Sequence, residues 1–235
     1  MIRTIMFDLD NTLLDFSWAE KIALEKTLRS FGIEPEPEVT ERYRVLNRQQ
    51  WELLEKGELT REEVKVRRFR LLFEEMRAGA LPEKVKAGVL PREAAAVYER
   101  LLGVGHRFID GAEELLEELY GKYDLYLVTN GTASVQNSRL DSAGMRRYFK
   151  GIFISEEIGA DKPGKEYFDR CFAQMPDFKK EEALLVGDSL TADIKGGENT
   201  GIKTVWFNPQ GLDNHTGIVP DHEIRRLSQI KGLLR

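Results

Sequence analysis

The feature that most constrains the fold of this chain is an alternation of short apolar segments with helical segments along its second half. The strand-like segments are residues 125–129, 152–155, 183–187 and 204–207. The segments with helical periodicity are residues 112–120, 132–143, 165–174 and 190–199. Short buried strands that alternate with helices are typical of a parallel sheet covered by helices on both faces. The pattern therefore predicts an α/β fold.

A further strand is predicted at the start of the chain, where residues 2–7 form a mainly apolar run. Residues 15–105 are different, because they are rich in Glu, Arg, Lys, Leu and Ala and show helical periodicity. The helices predicted there are 17–31, 38–55, 60–78 and 91–102, with breaks at 32–37, 56–58 and 79–91. We therefore predict a core domain of residues 1–14 and 106–235, with an all-α helical domain of residues 15–105 inserted after the first strand.

Composition narrows the class of protein and of partner. The 235 residues are 41% hydrophobic and 32% charged, which is typical of a globular protein with a well-buried core. The net charge of -5 gives no electrostatic reason to expect a nucleic acid polymer or an anionic membrane as partner. Cys171 is the only cysteine, which excludes an intrachain disulfide and a cysteine-rich metal site. The sequence shows no signal peptide and no apolar window of membrane length, so we expect a cytoplasmic protein.

Two carboxylates follow the first strand in the stretch Phe7-Asp8-Leu9-Asp10-Asn11-Thr12. Side chains two residues apart on a strand project to the same side, so Asp8 and Asp10 are expected to share one site. Two such charges repel each other unless a cation neutralises them, and paired carboxylates suit a hard cation such as Mg²⁺. The alternative is that both are solvated turn residues beside Asn11 and Thr12. This stretch alone does not decide between the two.

Polar residues also follow the other predicted strands, and ligands bind beyond the carboxyl ends of the strands in a sheet of this kind. Residues 129–132 run directly into a helix, whose first amides and hydroxyls either form an anion site or serve only as a helix cap. Lys162 precedes Pro163 near a helix start, where its ammonium either lies beside an anion or is simply exposed. Two further carboxylates, Asp188 and Asp193, follow the next strand.

These residues are more informative together than singly, because four acids, a threonine and a lysine are predicted to meet at one edge of the sheet. Acids cluster this closely only where a metal ion and a cationic side chain compensate their charge. The threonine and the helix amides then suit a phosphate group that completes the coordination of the metal. The combination favours a functional site over solvated turns.

These motifs, in this order along the chain, resemble those of the haloacid-dehalogenase-like superfamily of phosphohydrolases. The matching residues are Asp8-Leu9-Asp10-Asn11-Thr12, Thr129, Lys162-Pro163, and Gly187-Asp188 with Asp193. The resemblance implies a Rossmann-like sheet whose first strand lies near the middle, and a mobile cap formed by the inserted helices. Dehalogenases of the superfamily lack the second acid of the first motif, so Asp10 favours a phosphatase or a phosphomutase. Asn11-Thr12, where most mutases carry Gly-Val, favours hydrolysis.

The resemblance also implies a role for each matching residue. Asp8 would attack phosphorus to form an aspartyl-phosphate, and Asp10 would protonate the leaving oxygen and then activate water. Lys162 would neutralise charge on Asp8 and on the phosphoryl group. The residues expected to hold the phosphoryl oxygens and the substrate are Thr129, Asn130 and Gly131.

Mg²⁺ is the implied cofactor. It would be held by the Asp8 carboxylate, the backbone carbonyl of Asp10 and Asp188. Asp193 is expected just outside these ligands, where it would orient metal-bound waters or Lys162.

The inserted helices are similar to the cap of bacterial pyrimidine 5'-nucleotidases. The similar stretches are Asn47-Arg48-Gln49-Gln50-Trp51, Lys56-Gly57-Glu58-Leu59-Thr60 and Arg68-Phe69, together with 128–131, 154–159 and 206–209 in the core domain. Asn47 and Trp51 are four residues apart and therefore share one helix face. Asn47 is expected to hydrogen-bond a base or a sugar. Trp51 either stacks on a base or packs in the interior of the cap.

From these residues we predict a Mg²⁺-dependent phosphomonoesterase that acts through an aspartyl-phosphate on a nucleoside 5'-monophosphate. One alternative is the same chemistry on a small sugar phosphate or on a carboxylic-acid phosphate such as phosphoglycolate. The other is a catalytically silent binding protein on the same fold, against which the complete set of acids and lysine argues. The expected partner is a small phosphate ester, and the protein is expected to be a monomer or a weak homodimer.

Overall fold

A computed structural model describes residues 1–78 and 90–234 of the chain. The chain divides into two compact units, a core unit of Met1–Phe16 with His106–Arg235 and a helical unit of Ser17–Gly105. The predicted break at 79–91 lies outside the described residues, except for its last two positions. None of the helices in the described ranges is both long enough and apolar enough to cross a bilayer.

The core unit is built on one six-stranded sheet in the order β3-β2-β1-β4-β5-β6, in which every neighbouring pair is parallel. The strands are β1 (Thr4–Phe7), β2 (Asp124–Thr129), β3 (Gly151–Ile154), β4 (Ala183–Gly187), β5 (Lys203–Phe207) and β6 (His222–Ile224). The first five agree with the predicted strands to within two residues at either end. The sequence does not predict β6, because this strand has only three residues and two of them are exposed.

Helices make up much of the rest. Those of the first half are α1 (Phe16–Ser30), α2 (Pro37–Glu55), α3 (Arg61–Arg77) and α4 (Pro91–Leu102). Those of the core unit are α5 (Ala112–Leu119), α6 (Ala133–Ser142), α7 (Ser155–Ile158), α8 (Lys165–Phe172) and α9 (Lys195–Thr200). The segment predicted as one helix over 190–199 is instead a π-helical turn, Leu190–Ile194, followed by α9.

Strand β1 shows why the strands read as nearly continuous apolar runs. Ile5 and Phe7 belong to one apolar cluster, which also contains Leu127 of β2 and Val186 of β4. Met6, between them, belongs to a second cluster, because successive side chains of a strand point to opposite faces of the sheet. All four residues of β1 are buried as a result. The structure thus confirms the predicted fold class, a parallel Rossmann-like sheet with apolar packing on both faces.

The helical unit packs around aromatic side chains from three of its helices. The ring of Phe69 lies 5.0 Å from that of Tyr43 and 5.6 Å from that of Tyr98, measured between centroids, and all three residues are buried. Helix α3 begins at a reciprocal cap, in which the Thr60 hydroxyl accepts from the Glu63 amide and the Glu63 carboxylate accepts from the Thr60 amide. The cap satisfies the first amides of the helix and fixes its start in the sequence.

Candidate active site

The carboxyl ends of β1, β2 and β4 bring residues from distant parts of the chain to one edge of the sheet. Asp8 follows β1 directly, and its amide donates to the Val186 carbonyl of β4 at 2.9 Å, so the pairing of the strands continues to this residue. Thr129 ends β2, and Asp188 follows β4. The parallel arrangement alone therefore places an acid, a hydroxyl and a second acid next to one another.

Lys162 lies at the centre of the acidic cluster. Its ammonium donates to Asp8 Oδ1 at 2.7 Å, to Asp193 Oδ1 at 2.7 Å and to the Val128 carbonyl at 3.0 Å, which uses all three of its N–H groups. The residue is only 2% exposed. Burial by itself lowers the pKa of Lys162, but the carboxylates of Asp193 and Asp8 raise that pKa above its usual range. The two carboxylates therefore favour the charged form of the ammonium.

The acids around it carry more negative charge than one lysine balances. Burial raises the pKa of Asp8 to about 7, against the lowering effect of Lys162 and with the help of the charges on Asp193 and Asp10. Burial also raises the pKa of Asp188 well above its usual range, and the nearby charges of Asp8 and Asp193 add to the effect. The site is thus electrostatically incomplete without another cation.

Oxygen atoms of Asp8, Asp188 and Asp193 lie within 4.8 Å of one another, close enough to hold one metal ion. A set made only of carboxylate oxygens fits a hard divalent cation rather than a soft one. Asp188 is fixed from two sides, because the Trp206 indole donates to its carbonyl at 2.8 Å and the Thr12 hydroxyl approaches its Oδ1 at 3.5 Å. The residues present therefore fit the predicted metal.

Asp193 is brought to the cluster by a glycine and by the turn in which it lies. A Cβ atom at Gly187, the last residue of β4, would be 2.2 Å from the Asp193 carboxyl carbon, so any other residue would collide with this side chain. The amides of Asp193 and Ile194 both donate to the Ser189 carbonyl, and the Asp193 carboxylate accepts from the Ser189 amide at 3.1 Å. The turn therefore holds the Asp193 carboxylate where Lys162 meets it.

Asp10 faces different partners from Asp8, although the sequence predicts one shared site. Its Oδ2 accepts from the Gln136 amide at 2.8 Å, and its Oδ1 forms an ion pair with Arg139. Strand β1 ends at Phe7, so the alternation expected of a strand no longer applies at Asp10. The chain turns there, with Asn11 in the left-handed region at φ 58°. The two carboxyl groups are near each other but have different partners, Lys162 for Asp8 and Gln136 with Arg139 for Asp10.

The segment after β2 is held by side chains from neighbouring loops. The Asn130 side chain forms two hydrogen bonds with the backbone of Lys162. It donates to the Lys162 carbonyl at 2.9 Å and accepts from the Lys162 amide at 2.8 Å. The Gly131 amide donates to the Ser155 hydroxyl at 3.1 Å, and the Ala133 amide donates to the Glu156 carboxylate at 2.7 Å. Asn130 thus positions Lys162, and the amide of Gly131 is occupied within the protein. That Asn130 and Gly131 contact substrate stays a prediction.

The two predicted substrate contacts in the helical unit lie on α2. Asn47 is only 5% exposed; its amide nitrogen donates to the Glu20 carboxylate at 2.6 Å and its oxygen accepts from Arg68 at 2.9 Å. Trp51, one turn later, is partly buried. The polar groups of Asn47 therefore belong to an internal network, and a substrate contact of either residue stays a prediction.

Sequence reasoning missed Gln136 and Arg139, the two α6 residues that hold the Asp10 carboxyl. They are three residues apart and lie on the buried face of α6 with Leu140. Two long polar side chains on the apolar face of a short helix are a signal that the sequence does contain. Ser155 and Glu156 were missed as well, because the single-turn helix α7 that carries them lies where the sequence predicts the end of a strand.

Known proteins are similar to this chain in both sequence and structure. The sequence pattern of the family described as haloacid dehalogenase-like hydrolase matches residues 5–207. YfnB of Bacillus subtilis is 40% identical over 99% of this chain and 95% of its own length. A crystal structure of YfnB bound to magnesium superposes with a TM-score of 0.91, at 39% identity, and covers 100% of this chain and 99% of that one.

Two relatives carry the name of an activity. The pyrimidine 5'-nucleotidase PynA of Streptococcus pneumoniae is 37% identical over 94% of this chain and 90% of its own length. The pyrimidine 5'-nucleotidase YjjG of Escherichia coli is 29% identical over 98% of this chain and 96% of its own length. The similarity extends over both units in each case.

Proposed function

The chain belongs to the haloacid dehalogenase-like hydrolase family, and from that membership we propose that it is a Mg²⁺-dependent phosphomonoesterase specific for pyrimidine nucleoside 5'-monophosphates. The observation that carries the chemistry is the buried cluster of Asp8, Lys162, Asp188 and Asp193. The similarity to PynA and YjjG supports the choice of substrate. The proposal also places the enzyme in the cytoplasm, since a chain with a single cysteine suits a reducing compartment.

In the first proposed step, an oxygen of Asp8 attacks the phosphorus atom of the ester and the bond from phosphorus to the nucleoside oxygen breaks. Asp10 gives its proton to that oxygen, so the nucleoside leaves as a neutral alcohol and an aspartyl-phosphate remains. In the second step Asp10 takes a proton from water, whose oxygen attacks phosphorus. Inorganic phosphate then leaves and the Asp8 carboxylate is restored.

The other residues of the site act on charge and position. The Lys162 ammonium, 2.7 Å from Asp8, faces the charge that moves onto the phosphoryl group. The Thr129 hydroxyl and the backbone amide of Asn130 are proposed to hold phosphoryl oxygens. Mg²⁺ would be held by the Asp8 carboxylate, the Asp10 carbonyl and Asp188, and would supply positive charge that stabilises the transferring phosphoryl group. Asp193 acts by orienting Lys162.

A panel of phosphate-release assays tests the proposal. The purified protein would be offered uridine and cytidine 5'-monophosphates, the purine 5'-monophosphates, a set of sugar phosphates and phosphoglycolate, each with Mg²⁺ and with a chelator. We expect the highest kcat/KM with the pyrimidine nucleotides, and loss of activity on chelation. If sugar phosphates or phosphoglycolate are hydrolysed as well as nucleotides, the proposed substrate is wrong.

A variant and a matched control test the covalent mechanism in the same assay. Asp8→Asn is expected to abolish phosphate release, because an amide does not form the aspartyl-phosphate. Asp177→Asn, the same substitution at an exposed aspartate outside the cluster, is expected to leave turnover unchanged. Unchanged turnover in Asp8→Asn would contradict the covalent mechanism. No turnover of any phosphate ester by the wild-type protein would instead favour a silent binding protein.

A further inference from the structure

The carboxyl group of Asp10 is held by one face of helix α6. Gln136 and Arg139 each contact a different oxygen of this carboxyl group, Gln136 at Oδ2 and Arg139 at Oδ1. Both residues are buried, with exposed fractions of 2% for Gln136 and 0% for Arg139. A carboxyl group held at both oxygens by buried donors has one orientation, so α6 sets the direction in which Asp10 points.

Gln136 joins Asp10 to the residue proposed to bind the phosphoryl group. The same Nε2 that donates to Asp10 also donates to the Thr129 hydroxyl, at 2.9 Å. Space for this side chain is left by Gly131, where a Cβ atom would come within 2.9 Å of the Gln136 Cγ. The amide thus fixes the distance between the Asp10 carboxyl and the Thr129 hydroxyl.

Arg139 has little to hold it other than Asp10 and Gln136. Its Nη1 contacts Asp10 and donates to the Gln136 carbonyl oxygen at 3.1 Å, and its guanidinium lies 5.5 Å from the centre of the Phe16 ring. Its Nε and Nη2 are buried and have no hydrogen-bond partner among the described residues. A buried guanidinium with two unused donors depends on its remaining contacts, so Arg139 is expected to stay beside Asp10 when that carboxyl carries a proton. Once the proton has gone to the leaving oxygen, the carboxylate forms the ion pair with Arg139.

We propose that Gln136 and Arg139 are positioning residues. They hold the Asp10 carboxyl at a fixed distance and direction from the Thr129 hydroxyl, so that Asp10 delivers its proton to the leaving oxygen. The inference rests on the proposed function, because it takes Asp10 as the proton donor. It adds that the efficiency of proton delivery is set by α6. Loss of either side chain should therefore affect substrates according to how much their leaving group needs a proton.

Two substrates with different leaving groups make this measurable. The p-nitrophenolate ion departs readily without a proton, whereas the ribose oxygen of uridine 5'-monophosphate needs one. The readout is the ratio of kcat/KM for the two esters, measured on one preparation of each variant. The fraction of folded protein cancels in this ratio, so a purely structural defect leaves it unchanged.

Arg139→Met is expected to lower kcat/KM for uridine 5'-monophosphate at least about ten-fold more than for p-nitrophenyl phosphate. Gln136→Met is expected to lower both values through Thr129, with a further loss on the nucleotide. The matched controls are Arg146→Met, at an exposed arginine paired with Asp141, and Gln174→Met, at an exposed glutamine; both should keep the wild-type ratio.

The outcomes separate this inference from the function on which it rests. If each α6 variant loses activity equally on both esters, or loses none, Gln136 and Arg139 do not position Asp10 and the inference is wrong. If the wild-type protein ignores uridine 5'-monophosphate, the proposed substrate is wrong, and glycerol phosphate then serves as the ester that needs a proton. If it hydrolyses no phosphate ester at all, function and inference fall together.

Discussion

Gly187→Ala tests whether the position of Asp193 controls turnover. A Cβ atom at residue 187 would lie 2.2 Å from Cγ of Asp193 and 2.5 Å from its Cβ, whereas ordinary contact begins at 3.4 Å. Asp193 must therefore retreat by about 1 Å or more. Rotation of the carboxylate alone does not relieve the contact, because the Cβ of Asp193 is blocked as well. The backbone of the turn Leu190–Ile194 has to move.

The size of the effect follows from what Asp193 holds. Its carboxylate lies 2.7 Å from the Lys162 ammonium, which lies 2.7 Å from Asp8, so a shift of Asp193 breaks one ion pair and moves the charge that faces the nucleophile. Misplacement of an active-site group by about 1 Å costs about 100-fold in rate, which corresponds to about 2.7 kcal/mol in the activation free energy. The overpacking itself is expected to lower the free energy of unfolding by about 1–3 kcal/mol.

The assay is steady-state hydrolysis of p-nitrophenyl phosphate with Mg²⁺, together with a thermal melt of each variant. Gly232→Ala is the matched control, because a Cβ at that position meets nothing within 4 Å, and it should keep wild-type turnover. In an Asp193→Gly background the colliding atoms, including the Cβ of residue 193, are absent, so Gly187→Ala should then cost almost nothing. The reasoning is refuted if folded Gly187→Ala keeps full turnover, or if it costs as much without Asp193 as with it.

Three further predictions concern charge, metal and the helical unit. Lys162→Met should lower kcat by about 10²- to 10³-fold, because it removes the ammonium that faces the phosphoryl group; normal turnover of the folded variant would contradict this. Burial raises the pKa of Asp8 to about 7, so below that pH Mg²⁺ has to displace a proton from its ligand. Mg²⁺ should therefore raise Tm more at about pH 8 than at about pH 6, and equal shifts would speak against Asp8 as a ligand. Asn47→Leu should lower the free energy of unfolding by about 2–3 kcal/mol, because buried Arg68 and Glu20 lose a hydrogen-bonding partner; a denaturant titration with unchanged midpoint would exclude that structural role.

The sequence predicted what depends on local pattern and on the geometry of a parallel sheet. Strands β1 to β5 are short apolar runs between helices, and their carboxyl ends meet at one edge whatever the details of the loops. The proximity of Asp8 and Asp188 follows from that rule, because each comes directly after its strand and the two strands are neighbours. Lys162 lies beyond α7, so the rule places it only at the same edge of the sheet.

The finer arrangement depends on packing and on backbone turns, which local patterns do not encode. Asp8 and Asp10 diverge because β1 stops at Phe7 and Asn11 adopts a left-handed conformation. Gln136 was missed because its partners, Asp10 and Thr129, come from the turn after β1 and from the end of β2 rather than from its own helix. The strand β6 was missed because its pairing with β5, rather than its composition, makes it a strand.

The position of β1 in the sheet has a consequence for synthesis on the ribosome. The first strand of the chain pairs with β2 and β4, both of which follow the whole helical unit in the sequence. An apolar segment made before the helical unit therefore has no hydrogen-bonding neighbours until the helical unit and α5 have also been made. Any chain that stops before β2 carries an unpaired apolar strand with two open edges, which is a template for aggregation. Interrupted translation should thus be more damaging for this protein than for one whose strands pair in the order in which they are made.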